Sequence, residues 1–429
     1  MPEQHMTADA GQAALYRALA DGEHRSGPRG TIAFAVSTDD VDAGAGDLYV
    51  ALGLAKYLQR LGWGVCTWPT DRWDTAVPED VTVVVSMIES FVPGLVPAQT
   101  PVVAWVRNWT EVWAGLPYLD QFDAVWASSS AARDRVAESY TGPTRVLPIG
   151  VDLELFTGRR PDPDVGRIDV LTTVNFWGAE RSGTAALDVL AESREVVWYG
   201  ANREHLPRSA RIDHRGRASF FELPAVYAAA SVVVDDVIPP ARAYATHNSR
   251  LYEGLASGAL VVTNCADGLE ELGLADVPTY TDGPSLVAAV GDFDHSLVDR
   301  LRAVVVERHS YASRATAADT NLRTVVDEHR AQPRPDRGPL LVWATHLQER
   351  LRKAEHDRDV HMAGVHEINE RLLSALAAVE DGGRTIAART VERDAAIAER
   401  DLLATRLDEV TRSRAYRLAH RVGKLRRRG

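Results

Sequence analysis

The stretch "HNSRLYEGLASGALVVTN", His247 to Asn264, decides how the rest of the chain is read. Leu251, Leu255 and Ala256 recur at helical spacing, Gly258 stands where a helix would end, and Leu260 to Thr263 is β-rich. The pattern predicts a short helix feeding a buried strand. Asn248, Arg250 and Glu253 then fall in the first turn of that helix, beside a sheet. Backbone N–H groups and the helix dipole favour an anion at such a place.

Outward from this stretch the same alternation repeats. "DVLTTVN", "EVVWYG", "ARIDHRG", "SVVVDDV" and "VPTYT" read as further strands, with helices such as "FFELPAVYAAA" between them. Upstream, "TIAFAVS", "VTVVVSM", "PVVAWV" and "AVWASS" are strands and "DLYVALGLAKYLQRLG" is an amphipathic helix. Strands alternating with helices imply mostly parallel sheets covered on both faces. The expected fold class is therefore α/β, with two doubly wound domains and a cleft between them. Ligands bind at the carboxyl ends of strands in such sheets.

A chain of 429 residues accommodates two domains and additions. Residues 1–29 read as a flexible polar tail without the apolar stretch of a signal peptide, 30–150 as the first domain and 151–330 as the second. The hinge is "LPIGVDLELFTGRRPDPDVGR". A Pro-rich linker follows at 331–342, then a helical region over 343–411 with apolar residues stepping by three or four, interrupted at Gly382-Gly383. Such a pattern implies a helix pair or coiled coil, through which the chain would form a homo-oligomer.

Charge is uneven. Lys and Arg number 48 against 60 Asp and Glu, yet eight basic residues and no acid lie between Thr411 and Gly429. The acidic body argues against nucleic acid as a partner. The tail at 412–429 sets Tyr416, Leu418, Val422 and Leu425 among the basic residues, as in a helix lying on an anionic membrane surface. A disordered partner-binding tail is the other reading. No apolar span is long enough to cross a bilayer, and Cys66 and Cys265 have neither metal-ligand nor CxxC spacing. The expected location is cytoplasmic, with peripheral attachment to the inner face of the plasma membrane through the tail.

Several motifs resemble one family. "HNSRLYEGLASGALVVTN" looks like the donor-site helix of retaining GT-B glycosyltransferases of the family-four type, the CgeB-like branch in particular. "LPIGVDLELF" resembles their interdomain signature. "VWYGANREHLPRSARIDHRGRASFFELPAVYAAASVVVDD" follows their order of elements, and "GAGDLYVALGLAKYLQRLGWGV" is similar to their first glycine loop and helix. The similarity runs over roughly residues 31–325. It implies two Rossmann-like domains, the first taking an acceptor and the second a nucleotide-diphosphate sugar. The implied reaction is glycosyl transfer to a hydroxyl of a cell-surface glycan or lipid-linked acceptor, with configuration retained and neither metal nor cofactor required.

The resemblance also assigns roles. Glu253 would accept hydrogen bonds from the ribose hydroxyls; the alternative is an ordinary helix-surface Glu. The family's usual first Glu is replaced by Ala245, which leaves His247, Asn248, Ser249 and backbone amides to hold the donor sugar. Asn248 and Arg250 resemble the Asn-x-Arg of the CgeB-like branch. Arg250 either neutralises the diphosphate or pairs with Glu253 across one turn. Arg181 stands where the family holds a phosphate-binding Lys, while Phe176 replaces the companion Arg. Gly200, in "WYGAN", belongs to the segment that contacts the donor base, and Asp235-Asp236 is expected to be a structural turn rather than a metal site.

In the first domain, Gly44 and Gly46 precede a helix opening at Asp47, a loop suited to a phosphate or an acceptor hydroxyl, or simply a turn with Asp47 as cap. Arg107 and Asn108 stand where the family often has a His. They suit an acceptor or phosphate contact, whereas Arg does not deprotonate a nucleophile. Trp105, Trp109, Trp113 and Tyr118 either floor a sugar site or pack the core, with the core favoured. Asn248, Arg250 and Arg107 are thus the candidates for catalysis. Two other classes remain open on the same scaffold: an epimerase or phosphorylase, and a non-catalytic binding protein acting through its coiled coil.

Overall fold

The structure, a computed structural model, describes residues 3–73, 75, 77–158, 165–175, 183–200, 211–291, 295–332 and 338–414. Six strands form the first sheet: β1 (Thr31–Val36), β2 (Gly64–Pro69), β3 (Val81–Ser86), β4 (Val102–Val106), β5 (Ala124–Ala127) and β6 (Thr144–Val146). Five form the second: β7 (Ile168–Thr173), β8 (Val196–Tyr199), β9 (Ile212–Gly216), β10 (Ala230–Asp235) and β11 (Leu260–Thr263). The strand orders are β2-β1-β3-β4-β5-β6 and β11-β10-β7-β8-β9. Among the described residues every strand pairing is parallel.

Strands covered on both faces carry unbroken apolar runs. All six residues of β1 and all four of β11 are buried. The chain reverses direction across the sheets between β1 and β3 and between β7 and β10. Open sheets leave a crevice at the carboxyl ends of such a switch point. Expected "VPTYT" contributes only an isolated bridge between Thr263 and Thr279.

Three departures from the sequence reading have physical causes. Residues 3–20 are a helix, not a tail: Tyr16 and Leu19 on one face enter the core, and the Tyr16 hydroxyl donates to Asp152 Oδ2 at 2.9 Å. Secondly, the boundary at 330 moves, because the helix Tyr311–Ala331 packs back on the first sheet's side. Asn321 accepts from Trp126 Nε1 at 2.5 Å, Asp319 accepts from Trp63 Nε1 at 2.8 Å, and His329 Nδ1 lies 2.9 Å from Asp123. Gly53 admits this helix: a Cβ there would lie 2.5 Å from a Tyr311 ring carbon. Thirdly, Gly382 and Gly383 do not interrupt the helix Gly338–Arg412. A glycine costs an interior helix position only about 1 kcal/mol, which the long flanking turns tolerate.

The hinge is locked by a buried ion pair. Lys56 Nζ donates to Asp152 Oδ2 at 2.7 Å and to Glu154 at 2.9 Å, and Tyr57 donates to Asp152 Oδ1 at 2.8 Å. Asp152 is the aspartate of "IGVD" and also caps the short helix Leu153–Phe156. Tyr49, from the helix Gly46–Arg60, stacks on Phe220 with centroids 4.0 Å apart. Arg217 NH2 donates to the Asp42 carbonyl at 2.9 Å, so the two lobes also meet above the hinge.

Residues Arg350–Gly429 form a separate unit. Within it Val365, Ile368, Leu372, Leu376 and Val379 are exposed along the helix. Among the described residues no helix is long and apolar enough to cross a membrane. The basic tail beyond Arg414 lies outside the described residues.

Candidate functional site

The helix Ser249–Ser257 begins at the second switch point. Asn248 is its N-cap residue, and Gly258 ends it in the left-handed conformation at φ 91°. Asn248 does not cap, however: its side-chain Nδ2 donates instead to Asp235 Oδ1 at 2.8 Å. Arg250 Nε donates to the same oxygen at 2.9 Å, and its NH1 donates to the Thr173 carbonyl at 2.6 Å. Asp235 and Thr173 end β10 and β7, the two strands that flank the switch point. Arg250 thus neither pairs with Glu253 nor stands free for a phosphate. Its charge is spent on Asp235, whose side chain is fully buried. Asp235 is a buried anchor, more than the turn residue the sequence suggested, while the Asp236 carboxylate accepts from Asn264 Nδ2 at 2.8 Å.

With its N-cap side chain turned away, the first turn of this helix opens into a cavity of about 300 Å³. Thr246, His247, Asn248, Ser249, Arg250 and Tyr252 line it from the second lobe. From the first lobe come Gly46, Asp47 and Val50 after β1, Arg107 and Asn108 after β4, and Ser128 after β5. Pro148 and Ile149 of the hinge complete the wall. The carboxyl ends of both sheets therefore face one hollow, as the doubly wound pattern predicts.

Two non-glycine residues among those described have positive φ, Trp109 at 57° and Ala245 at 52°, and each adjoins a lining segment. Left-handed backbone at such residues costs about 1–3 kcal/mol and gathers at ligand sites. Ala245 is held by its surroundings: a Cβ on Gly268 would lie 2.9 Å from the Ala245 Cβ. Next to it, Thr246 and Ser128 share a hydroxyl hydrogen bond of 2.6 Å across the lobes, and Ser129 Oγ donates to the Tyr244 carbonyl at 2.5 Å. Ser128 and Thr246 escaped the sequence reading. The rule that strand ends carry ligands would have pointed to Ser128.

His247 is buried, with Nε2 3.0 Å from the Asp267 carbonyl, which fixes a proton on that nitrogen. Burial lowers its pKa below the ordinary histidine value, and Nδ1 has no partner. Asp47 is the one carboxylate among the described lining residues. It accepts from the Ser37 amide at 2.7 Å and the Ser37 hydroxyl at 2.8 Å, so it closes the loop behind it. It is not the helix cap, a place taken by Ala45. Gly44, at φ 74°, sits behind the lining, where a Cβ would strike the Arg217 guanidinium.

Glu253 lies in the second turn of its helix, not the first, and is buried without lining the cavity. Side chains on a helix lean towards its N-terminus, which carries the carboxyl back to Ser249, four residues earlier. There the Ser249 and Tyr227 hydroxyls favour its charged form. Burial raises its pKa to about 7 despite those hydroxyls and the nearby Arg250. Gly200 is also off the cavity: its N–H donates to the Gly216 carbonyl at 2.8 Å, and a Cβ would lie 2.0 Å from the Val174 carbonyl oxygen. Arg181 and Phe176 lie outside the described residues. Trp105, Trp113 and Tyr118 are core residues, and Trp109 is exposed.

This geometry agrees with what the chain is similar to. A family model described as glycosyl transferase-like matches residues 177–319, the segment that carries the Ser249–Ser257 helix. The sucrose-phosphate synthase of Thermosynechococcus elongatus superposes with a TM-score of 0.52, at 14% identity, over 69% of this chain and 99% of that one. AviGT4, a glycosyltransferase involved in avilamycin A biosynthesis, gives a TM-score of 0.49 at 17% identity over 69% of this chain and 98% of that one. No curated protein sequence matches. The chain has the two-sheet GT-B fold, and its residues 177–319 are similar to the glycosyl transferase-like family.

Proposed function

We propose that the protein is a glycosyltransferase moving a sugar from a nucleotide-diphosphate donor to an acceptor hydroxyl. The observation that carries this reading is the uncapped start of the Ser249–Ser257 helix opening into the cleft between two doubly wound lobes. Open N–H groups and the helix dipole suit a diphosphate. Glu253, one turn below, would accept hydrogen bonds from the ribose hydroxyls. Asn248 and Arg250 serve this site by holding the helix start against Asp235.

Departure of the nucleoside diphosphate leaves negative charge that preorganised donors must meet. The amides of this helix supply them, so the reading calls for neither a metal nor a cofactor. The lining carboxylate, Asp47, is already engaged by Ser37. In the chemistry that the family resemblance implies, the acceptor proton passes to the leaving phosphate, with attack and departure on one face and configuration retained. The sequence motifs favour the CgeB-like branch of the family-four type and a hexosyl donor.

The remaining features fit a cell-surface glycan or lipid-linked acceptor made at the inner face of the plasma membrane. The basic tail would rest on anionic lipid, and the exposed stripe of the 350–412 segment would pair two copies as a coiled coil. The test is release of nucleoside diphosphate from UDP-, GDP-, dTDP- and ADP-sugars with oligosaccharide acceptors. One donor series should turn over, and Glu253→Gln should slow it at least tenfold. Binding of sugars or nucleotides without turnover of any donor would favour a non-catalytic protein instead.

A further inference from the structure

Arg107 directly follows β4 and lines the cleft from the first lobe. Its Nε is buried without a partner, and its NH2 has only a long contact of 3.5 Å with the Met87 carbonyl. Among the described residues it forms no ion pair. The other lining arginine, Arg250, is neutralised by Asp235. Arg107 is thus the uncommitted cation of the described wall, and it shares the hollow with helix amides that have no capping side chain. A second unpaired polar atom belongs to the same lining, Nδ1 of His247, a residue only 6% exposed. An arriving anion favours the protonated imidazole, whose Nδ1–H then donates.

A buried guanidinium nitrogen left without an acceptor costs free energy, and a cleft that gathers such groups is incomplete until an anion arrives. A hydroxyl alone would satisfy one donor and leave the charge unmatched. A phosphoryl group offers several oxyanions to the guanidinium fork and the amides together.

We infer that Arg107 forms, with the start of the Ser249–Ser257 helix, a phosphoryl-binding site that spans the two lobes. The ligand group is either the diphosphate of the donor or a phosphate on the acceptor. This deepens the proposed function by adding a first-lobe cation to charge recognition, so anion binding would draw the lobes together.

The test is calorimetric titration of the full chain and of Arg107→Gln and Arg107→Lys with pyrophosphate, and with UDP, GDP, dTDP and ADP. Unfolding midpoints confirm that the variants fold. Pyrophosphate should bind the wild type, Arg107→Gln should weaken it about tenfold or more, and Arg107→Lys should weaken it less. If the donor diphosphate is the occupant, pyrophosphate competes with the nucleotide and Arg107→Gln weakens both. If an acceptor phosphate is the occupant, pyrophosphate binds the nucleotide-saturated protein and only that binding depends on Arg107. Equal affinity of wild type and Arg107→Gln for every probe would overturn the inference, as would failure of the wild type to bind any. Arg107-dependent pyrophosphate binding without binding of any nucleotide would keep the site and remove the nucleotide-sugar reading.

Discussion

Arg250 Nε donates to Oδ1 of Asp235 at 2.9 Å, joining the first turn of one helix to the last residue of β10. Asn248 donates to the same oxygen, and Thr263 Oγ1 donates to the other at 3.2 Å. A carboxylate so placed orients the helix start that opens into the cleft. Removing one member of a buried pair leaves its partner's charge uncompensated, at about 3–5 kcal/mol. Arg250→Met should therefore destabilise the fold by about that amount in urea unfolding. Adding Asp235→Asn should recover part of the loss, and simple additivity of the two would argue that the pair does not couple.

Glu253 gives the site a pH signature. Its carboxyl has a pKa of about 7 in the folded chain against an ordinary 4.5. The folded state therefore holds the proton more tightly than the unfolded state. The stability this contributes is complete below about pH 4.5 and is lost as pH rises to about 7. Glu253→Gln, neutral throughout, should be more stable than the wild type above pH 7 and show a flatter pH dependence between those values. The same variant should bind nucleotide more weakly, so a stabilised but inactive protein is expected.

Gly53 lets Tyr311 rest against the helix Gly46–Arg60. Gly53→Val should force the helix Tyr311–Ala331 off its seat, costing about 1–3 kcal/mol by overpacking. Hydrogen exchange should quicken over residues 311–331 before it does in the two sheets.

The 350–412 segment makes a prediction of its own. If its exposed stripe pairs two copies, light scattering should give a dimer mass, and Ile368→Glu with Leu372→Glu should return the monomer mass. An unchanged mass in that variant would remove the coiled-coil proposal.

Legibility in the sequence followed the range of the interactions. The Ser249–Ser257 helix and β11 were readable because helical spacing, a terminal glycine and a β-branched run are local signals. Asp235 was not, because its role comes from Asn248 and Arg250, more than ten residues along the chain and brought near only by the sheet crossover. The N-terminal helix was missed because Ala13, Tyr16 and Leu19 are a sparse stripe in a polar segment, and burial came from Asp152 and Phe220 far away. Arg107 and Asn108 were found from their place after a strand, the same rule that would have found Ser128. The return of residues 311–331 to the first lobe has no local marker: it rests on Asn321, Asp319 and His329 meeting Trp126, Trp63 and Asp123.

The most direct measurement is the unfolding midpoint of the full chain with UDP, GDP, dTDP and ADP. One of them at a hundredfold excess over its Kd should add about 2.7 kcal/mol of stability. That gain should shrink sharply in Glu253→Gln, and the matching nucleoside without phosphates should give little. If no nucleoside diphosphate moves the midpoint at millimolar concentration, or if Glu253→Gln responds as the wild type does, the cleft is not a nucleotide-sugar site.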